Sequence, residues 1–169
     1  MNIPRTIKIT KCRLCFNDKL LKLYSFGNLS ISNFVTKKDI NKGIKAPLNL
    51  VYCKNCKLLQ LQHSAPQEIM YKKFYWYRSG ITSTMKNALK DIFLTVKKMS
   101  ILDKNDTILD IGANDGTLLS HFKKEKYITI GCEPAKNLTK FLKKNCKYVL
   151  NGFWNSKDLK KILKTKKIK

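Results

Sequence analysis

The sequence predicts an α/β protein in three parts: a small β module, a helical linker and the first part of an open parallel sheet. Three observations lead to this prediction. Two Cys-x-x-Cys pairs flank strand candidates in the first sixty residues, an apolar stripe at helical spacing runs from Ile81 to Met99, and an apolar strand enters a glycine-rich turn at residues 107–116. A buried parallel strand has this appearance where it feeds a tight turn and a helix. We place the three parts at residues 1–65, 66–103 and 104–169.

The β module is predicted from short apolar runs that are separated by turn residues. The predicted strands are Thr6–Thr10, Lys19–Phe26, Pro47–Tyr52 and Leu58–Gln62. Turn residues are frequent at Gly27–Ser32, and residues 33–47 have the composition of a polar loop.

The remainder of the chain alternates between helical and strand patterns. Pro66–Phe74 predicts a helix, and Tyr75–Gly80 is an aromatic-rich segment that we call the connector. The helix that follows it has an apolar stripe, which we expect to be buried, formed by Ile81, Met85, Leu89, Ile92, Phe93, Val96 and Met99. After the strand at residue 107, the pattern predicts helices at Thr117–Lys124, Ala135–Lys144 and Ser156–Leu163, and strands at Tyr127–Gly131 and Lys147–Leu150.

The charge is strongly basic, with a net charge of +24 from 35 basic and 11 acidic residues. Such a balance raises the question of a nucleic-acid partner. Only Arg5, Arg13 and Arg78 are arginines, and the lysines are spread along the chain beside many Ile and Asn residues, which is typical of a coding bias and a solvated surface. The sequence contains no apolar run long enough for a membrane span and no signal peptide, so we expect a cytoplasmic protein.

Four of the six cysteines form two Cys-x-x-Cys pairs, Cys12 with Cys15 and Cys53 with Cys56. In a cytoplasmic chain, such pairs indicate metal or redox chemistry rather than disulfides. No βαβ pattern surrounds either pair, which argues against a redox motif. Two turns with two thiolates each complete a tetrahedral shell for a structural Zn²⁺ ion, which would stabilise a β module with little core of its own. The alternative is four reduced thiols packed in a core.

The segment Asp110–Gly116, which we call the glycine turn, has the pattern D-x-G-x-N-x-G. It is neither the G-x-G-x-x-G of dinucleotide enzymes nor a P-loop. Glu133 lies 23 residues after Asp110, at the predicted end of the second parallel strand, where an acidic residue can bind ribose hydroxyls. The alternative for Glu133 is a helix-start residue that interacts with the helix dipole. An Asp at the end of the first strand suits a cofactor with a cationic amino-acid arm, and S-adenosylmethionine fits that description.

These features, in this order, resemble bacterial S-adenosylmethionine-dependent methyltransferases with an N-terminal zinc-binding domain. That group includes C-methyltransferases of nucleotide-linked deoxysugars. The resemblance runs from about residue 12 to Phe153, with Ser30 at a position where Pro is usual in the family. The matching segments are 12–15, 26–35, 46–56, 58–61 and the connector, followed by segments 110–119 and 131–137, which resemble the family's two cofactor motifs.

The resemblance implies a Rossmann-like cofactor domain and a set of binding residues. In such enzymes the connector lies over the cofactor, which adds Tyr77 and Ser79 to the expected contacts. The full expected cofactor site comprises Asp110, Gly112, Ala113, Asn114, Asp115, Gly116, Glu133, Pro134, Tyr77 and Ser79.

The resemblance also implies a seven-stranded sheet and a C-terminal domain that holds the sugar substrate and the catalytic base. This sequence reaches only the third strand, so we expect a truncated gene, a fragment or one half of a split enzyme, with little or no turnover alone. No catalytic residue can be named. Two alternatives remain open: a zinc-ribbon protein that binds nucleic acid, and a non-catalytic subunit whose sheet is completed by a separate polypeptide.

Overall fold

The computed structural model describes residues 6–31, 36–72, 75–99 and 101–163. The chain divides into two compact units, residues 1–70 and 71–169. The segment predicted as a helical linker, residues 66–103, lies on both sides of this boundary, and the three-part division stays a prediction. Within the described ranges, no helix combines the length and the apolar character that a bilayer crossing requires.

The first unit contains two antiparallel sheets. Its strands are β1 (Ile7–Lys8), β2 (Leu20–Ser30), β3 (Lys45–Cys53), β4 (Leu59–Leu61) and β5 (His63–Ser64). The strands β2, β3 and β4 form one sheet in that order, and β1 pairs with β5. The buried apolar residues described in this unit are few and small: Cys12, Ala46, Val51, Cys53 and Ile69. Such a limited core agrees with the expectation that the unit depends on a metal for stability.

Three predictions in the first unit are corrected by the structure. The turn predicted at Gly27–Ser32 is wrong because β2 continues to Ser30, and Gly27 adopts φ +78° at an irregularity of the β2–β3 pairing. The loop predicted at 33–47 includes a 3₁₀ helix at Lys37–Lys42 and the start of β3. The helix predicted from Pro66 is a short π-helical turn at Glu68–Lys72, and residues 73–74 lie outside the described ranges.

The second unit is a parallel α/β sheet with helices. Its elements are α1 (Ser83–Lys98), β6 (Thr107–Ile111), α2 (Thr117–Lys124), β7 (Ile128–Cys132), α3 (Thr139–Asn145), β8 (Tyr148–Leu150) and α4 (Ser156–Leu163). The strand order is β6-β7-β8, and both pairings are parallel. Asp110 lies opposite Gly131 in this sheet, so the ends of β6 and β7 bring the two predicted cofactor motifs to one edge. This arrangement confirms the predicted α/β class and the partial Rossmann-like sheet.

The core of the second unit forms where α2 and α3 pack near the sheet. Leu119 and Leu142 are wholly buried and cluster with Ala113 and Cys146. A Cβ atom on Gly131 would lie 2.6 Å from the Leu142 Cδ1 atom. A larger residue at Gly131 would therefore force the buried Leu142 side chain to shift.

The helices of the second unit agree only in part with prediction. α2 and α4 begin and end at the expected residues. α3 begins at Thr139 rather than Ala135, because residues 135–138 form a turn closed by the Leu138 N–H to the Ala135 carbonyl at 3.1 Å. The apolar stripe of α1 was expected to be buried, yet Phe93 is its only fully buried member within the described ranges. Ile92 is 48% exposed.

Candidate functional site

The two Cys-x-x-Cys pairs converge on one point in the first unit. The Sγ atoms of Cys12, Cys15, Cys53 and Cys56 all lie within 4.8 Å of one another. The Cys12–Cys56 and Cys15–Cys53 sulfur distances are 3.6 and 3.5 Å. A tetrahedral zinc centre with Zn–S bonds of ~2.3 Å needs sulfurs about 3.8 Å apart. The donor set and the spacing therefore fit Zn²⁺, and the four ligands leave no open position for catalysis.

The two pairs sit in turns of the same construction. Phe16 follows the first pair with φ 58°, and its N–H donates to the Cys12 carbonyl at 3.0 Å. Lys57 follows the second pair with φ 65°, and its N–H donates to the Cys53 carbonyl at 2.9 Å. A non-glycine residue in the left-handed region costs free energy. The same strained turn at both pairs aims two sulfurs at a shared centre.

The thiols have very different proton affinities. A hydrogen bond from the Cys15 backbone lowers the pKa of the Cys12 thiol to about 6, against the effect of burial, and Leu14 and Gln60 assist. The Leu58 backbone N–H lowers the pKa of Cys56, but burial and the neighbouring sulfurs raise it to about 12. Four thiolates at this separation repel one another, so a cation between them is needed to ionise the set.

Gln60 supports the metal site and was not predicted from the sequence. Its side chain is 8% exposed, and Nε2 donates to the Cys12 Sγ at 3.2 Å. Its Oε1 accepts the Arg13 backbone N–H at 3.1 Å. A polar residue between Leu59 and Leu61 in a strand was the available signal, since buried polar groups in such positions require partners.

The glycine turn leaves its backbone open at Gly112. This residue has φ +82°, and a Cβ atom placed on it would meet no atom within 4 Å. Its N–H and that of Ala113 donate to the Cys132 carbonyl at 2.9 and 3.1 Å, which fixes the turn against the end of β7. At Gly116, φ is +77°, and a Cβ would lie 2.9 Å from the Leu142 Cδ1. The space beside Gly112 is therefore open, whereas the absence of a side chain at Gly116 allows the close packing of α3.

Asp110 and Glu133 crowd negative charge at the same edge of the sheet. Burial, and then the charge of Glu133, raise the pKa of Asp110 above its ordinary value. A cationic group bound here would relieve both effects, because it favours the ionised carboxylate. Asp110 therefore fits a cationic ligand group, such as the amino-acid arm of S-adenosylmethionine. Pro134 follows Glu133 directly and is partly buried.

Glu133 joins the two cofactor motifs through backbone hydrogen bonds. Its Oε2 accepts the Asn114 N–H at 2.9 Å, and its Oε1 accepts the Ala135 N–H at 2.8 Å. The side chain is 6% exposed. Each carboxylate oxygen can still accept a second hydrogen bond, so a ribose contact stays a prediction. The geometry adds a structural role, since Glu133 holds the glycine turn and the segment after β7 together.

Asn114 and Asp115 bind the connector. Asn114 accepts the Ser79 N–H, and Asp115 accepts the Gly80 N–H. Tyr77 is 44% exposed, and its carbonyl accepts the Asn114 side-chain amide. The structure thus brings the expected connector residues to the glycine turn. It also gives Asn114 and Asp115 partners that sequence reasoning did not foresee.

Comparison with known proteins supports the resemblance. Residues 12–71 match a methyltransferase-associated family model described as "Putative zinc binding domain". The chain is also similar to the C-methyltransferase NovU of Streptomyces niveus, with 26% identity over 132 residues that cover 77% of this chain. The chain spans about a third of the length of that curated relative, 31%. The resemblance to a methyltransferase with an N-terminal zinc-binding domain is confirmed.

Proposed function

We propose that this chain is the zinc-binding and S-adenosylmethionine-binding part of a C-methyltransferase that acts on nucleotide-linked deoxysugars. The observation that carries the proposal is the position of Asp110 and Glu133 beside the open backbone of Gly112, at the carboxyl ends of β6 and β7. In open α/β sheets, ligands bind at this edge. The sugar class comes from the family resemblance, and transfer to carbon has further support from the name of the similar protein.

In this proposal the residues of the chain bind and orient. S-adenosylmethionine, when bound, would supply the electrophilic methyl group. Asp110 would hold the cationic arm, Glu133 would hold the ribose, and the backbone at Gly112 would allow close approach. Positioning of this kind lowers the barrier by fixing the reacting geometry. Methyl transfer to carbon also needs a base that removes a proton from the acceptor. That base would come from the region of the enzyme that this chain does not cover. The zinc centre would hold the first unit in its fold.

A thermal-shift experiment tests the proposal on the protein as it exists. Both tryptophans, Trp76 and Trp154, lie in residues 71–169, so their fluorescence follows the unfolding of the second unit. S-adenosylmethionine and S-adenosylhomocysteine should raise its unfolding midpoint in a concentration-dependent way, because ligands stabilise the state that binds them. ATP and NAD serve as comparison ligands. An equal shift with all four compounds would refute the proposed cofactor. The absence of a shift with both S-adenosylmethionine and S-adenosylhomocysteine would refute it as well.

The same proposal includes a partner for the edge of the parallel sheet. Among the described residues, β6 pairs with β7 on one side only. An unpaired strand edge offers a row of backbone donors and acceptors to another strand. We propose that further polypeptide, in the same enzyme or as a separate subunit, completes the sheet beside β6. Co-expression with a candidate partner should slow amide exchange at residues 107–111, and unchanged exchange in a stable complex would exclude this edge.

Nucleic-acid binding is a second candidate, favoured by the net charge of +24. It predicts binding to random DNA that weakens by ~10³-fold or more between ~50 mM and ~200 mM salt. It also predicts no thermal shift with S-adenosylmethionine. The two outcomes together would favour this candidate over the methyltransferase.

A further inference from the structure

We propose that Asn114 and Asp115 are positioning residues that fasten the connector to the glycine turn, and that the cofactor site forms only while the connector is fastened. The family resemblance implies a cofactor-binding role for both residues. This inference rests on the proposed function for its cofactor, but the fastening can be measured without any ligand.

The Asn114 side chain is committed to the connector on both sides of its amide. Its Oδ1 accepts the Ser79 N–H at 3.0 Å and the Asp115 N–H at 2.9 Å, and its Nδ2 donates to the Tyr77 carbonyl at 3.1 Å. An amide oxygen has two acceptor sites, and both are used here. Asn114 is 8% exposed and adopts φ 53°, a conformation that asparagine tolerates better than most residues. Little of this side chain remains for a ligand.

The Asp115 carboxylate is committed as well. Its Oδ2 accepts the Gly80 N–H at 2.8 Å and lies 3.6 Å from the Arg78 Nε. Its Oδ1 accepts the Thr117 N–H at 3.1 Å and the Thr117 hydroxyl at 2.6 Å. The side chain of Asp115 is 5% exposed. The carboxylate therefore links the connector to the first turn of α2.

Space at Gly80 makes this link specific. A Cβ atom there would lie 2.6 Å from both the Asp115 Oδ2 and the Thr117 Oγ1. These atoms are held by the hydrogen bonds above and cannot move without breaking them. Substitution of Gly80 is therefore expected to separate the connector from Asp115 without altering the Asp115 side chain.

The second cofactor motif holds the other end of the connector. The Tyr75 N–H donates to the Asn137 Oδ1 at 3.0 Å, and the Asn137 Nδ2 donates to the Tyr75 carbonyl at 2.9 Å. The Arg78 guanidinium stacks over the Phe141 ring at 4.2 Å. Both cofactor motifs therefore form hydrogen bonds to the connector, Tyr75–Gly80. A segment ordered in advance costs less conformational entropy when the ligand binds, so fastening should raise cofactor affinity.

Two substitutions test the inference from opposite sides of the link. Asp115→Asn keeps the shape but places an amide donor where carboxylate oxygens accept hydrogen bonds, and Gly80→Ala displaces the connector. Gly152→Ala is the matched control, because a Cβ at Gly152 would meet no atom within 4 Å. The readouts are amide hydrogen exchange at Ser79 and Gly80 without ligand, and calorimetric affinity for S-adenosylhomocysteine.

Each single variant should exchange faster at both amides and bind S-adenosylhomocysteine about tenfold more weakly. The double variant should be no weaker than the worse single variant, since both changes break one link. Gly152→Ala should match the wild type in both readouts. Should Asp115→Asn fail to fold, as judged by circular dichroism, Gly80→Ala carries the test.

Three results would overturn the inference: unchanged exchange at Ser79 and Gly80, faster exchange with unchanged affinity, or additive losses in the double variant. Absence of any S-adenosylhomocysteine binding by the wild type is a different result. It would refute the proposed function and the cofactor role of the connector with it, whereas the exchange data would still decide whether Asp115 fastens the connector.

Discussion

Glu133 and Asn114 connect the two cofactor motifs through one short contact, the Asn114 N–H to the Glu133 Oε2 at 2.9 Å. The second oxygen of Glu133 accepts the Ala135 N–H at 2.8 Å. The glycine turn and the segment after β7 are therefore held by one buried carboxylate. Because that carboxylate accepts two backbone hydrogen bonds, its replacement should lower the free energy of unfolding of the second unit.

Glu133→Gln should lower the free energy of unfolding of the second unit by about 1–3 kcal/mol, because one buried N–H then faces an amide donor. Denaturant unfolding followed by tryptophan fluorescence measures this. Glu125→Gln is the control: Glu125 forms an exposed ion pair with Lys97 at 3.1 Å, and its loss should cost no more than about 0.5 kcal/mol. Equal effects of the two substitutions would contradict the role given to Glu133.

Asp110→Asn should stabilise the second unit at neutral pH. Burial and Glu133 raise the pKa of Asp110 above 3.8, so its ionised form is disfavoured in the fold. The destabilisation is fully present above the raised pKa and disappears as pH falls to the unfolded value. The variant should therefore melt at a higher temperature near pH 7, and the difference should vanish near pH ~4. A lower melting temperature at neutral pH would show that the ionised Asp110 makes favourable contacts in the fold.

The strained turns at Phe16 and Lys57 predict a gain from glycine. Phe16→Gly and Lys57→Gly should each stabilise the zinc-loaded first unit by about 0.5–1 kcal/mol, since glycine adopts positive φ without steric cost. Thermal release of zinc to a chromogenic chelator provides the measurement. Gly27→Ala is a control with the opposite expected sign. Gly27 has φ +78°, and a Cβ there would meet no atom within 4 Å, so the substitution should destabilise the first unit through backbone strain alone.

Removal of zinc should unfold the first unit. Its described core is small, so the free energy of metal binding contributes directly to its folding. The purified protein should hold one zinc ion, which Cys15→Ser removes and Cys132→Ser retains. Loss of amide protection at residues 45–61 after chelation is the expected result. Retention of protection without metal would show that the thiols are packed as ordinary core residues.

Local patterns predicted the second unit better than the first. The glycine turn and the bounds of α2 follow from an apolar strand, two glycines and a 3.6-residue period, which are signals within one short segment. The sequence pattern did not predict the end of β2 because Gly27 was interpreted as a turn residue. In the structure Gly27 lies at an irregularity of the β2–β3 pairing, and the strand continues beyond it. Strand partners that are distant in the sequence, such as Asn28 and Pro47, leave no local signal.

The candidate site was likewise predictable from the sequence only where its residues carry a local pattern. The convergence of the four cysteines is visible in their spacing, and the structure brings their Sγ atoms within 4.8 Å of one another. The contacts of Asn114 and Asp115 with the connector join residues 35 positions apart, and at Asn114 a positive φ also sets the side-chain direction. The exposed stripe of α1 was also missed, because periodicity predicts which face is apolar and not what covers it.

A calorimetric titration of the wild type and Asp110→Asn with S-adenosylhomocysteine measures whether this edge of the sheet binds the cofactor through Asp110. This ligand keeps the ammonium group that Asp110 is proposed to hold. We expect the wild type to bind S-adenosylhomocysteine saturably at one site per chain. Asp110→Asn should bind it about tenfold to a hundredfold more weakly, because the variant loses a charge-assisted hydrogen bond. No binding by the folded wild type, or binding of equal strength by the variant, would contradict it.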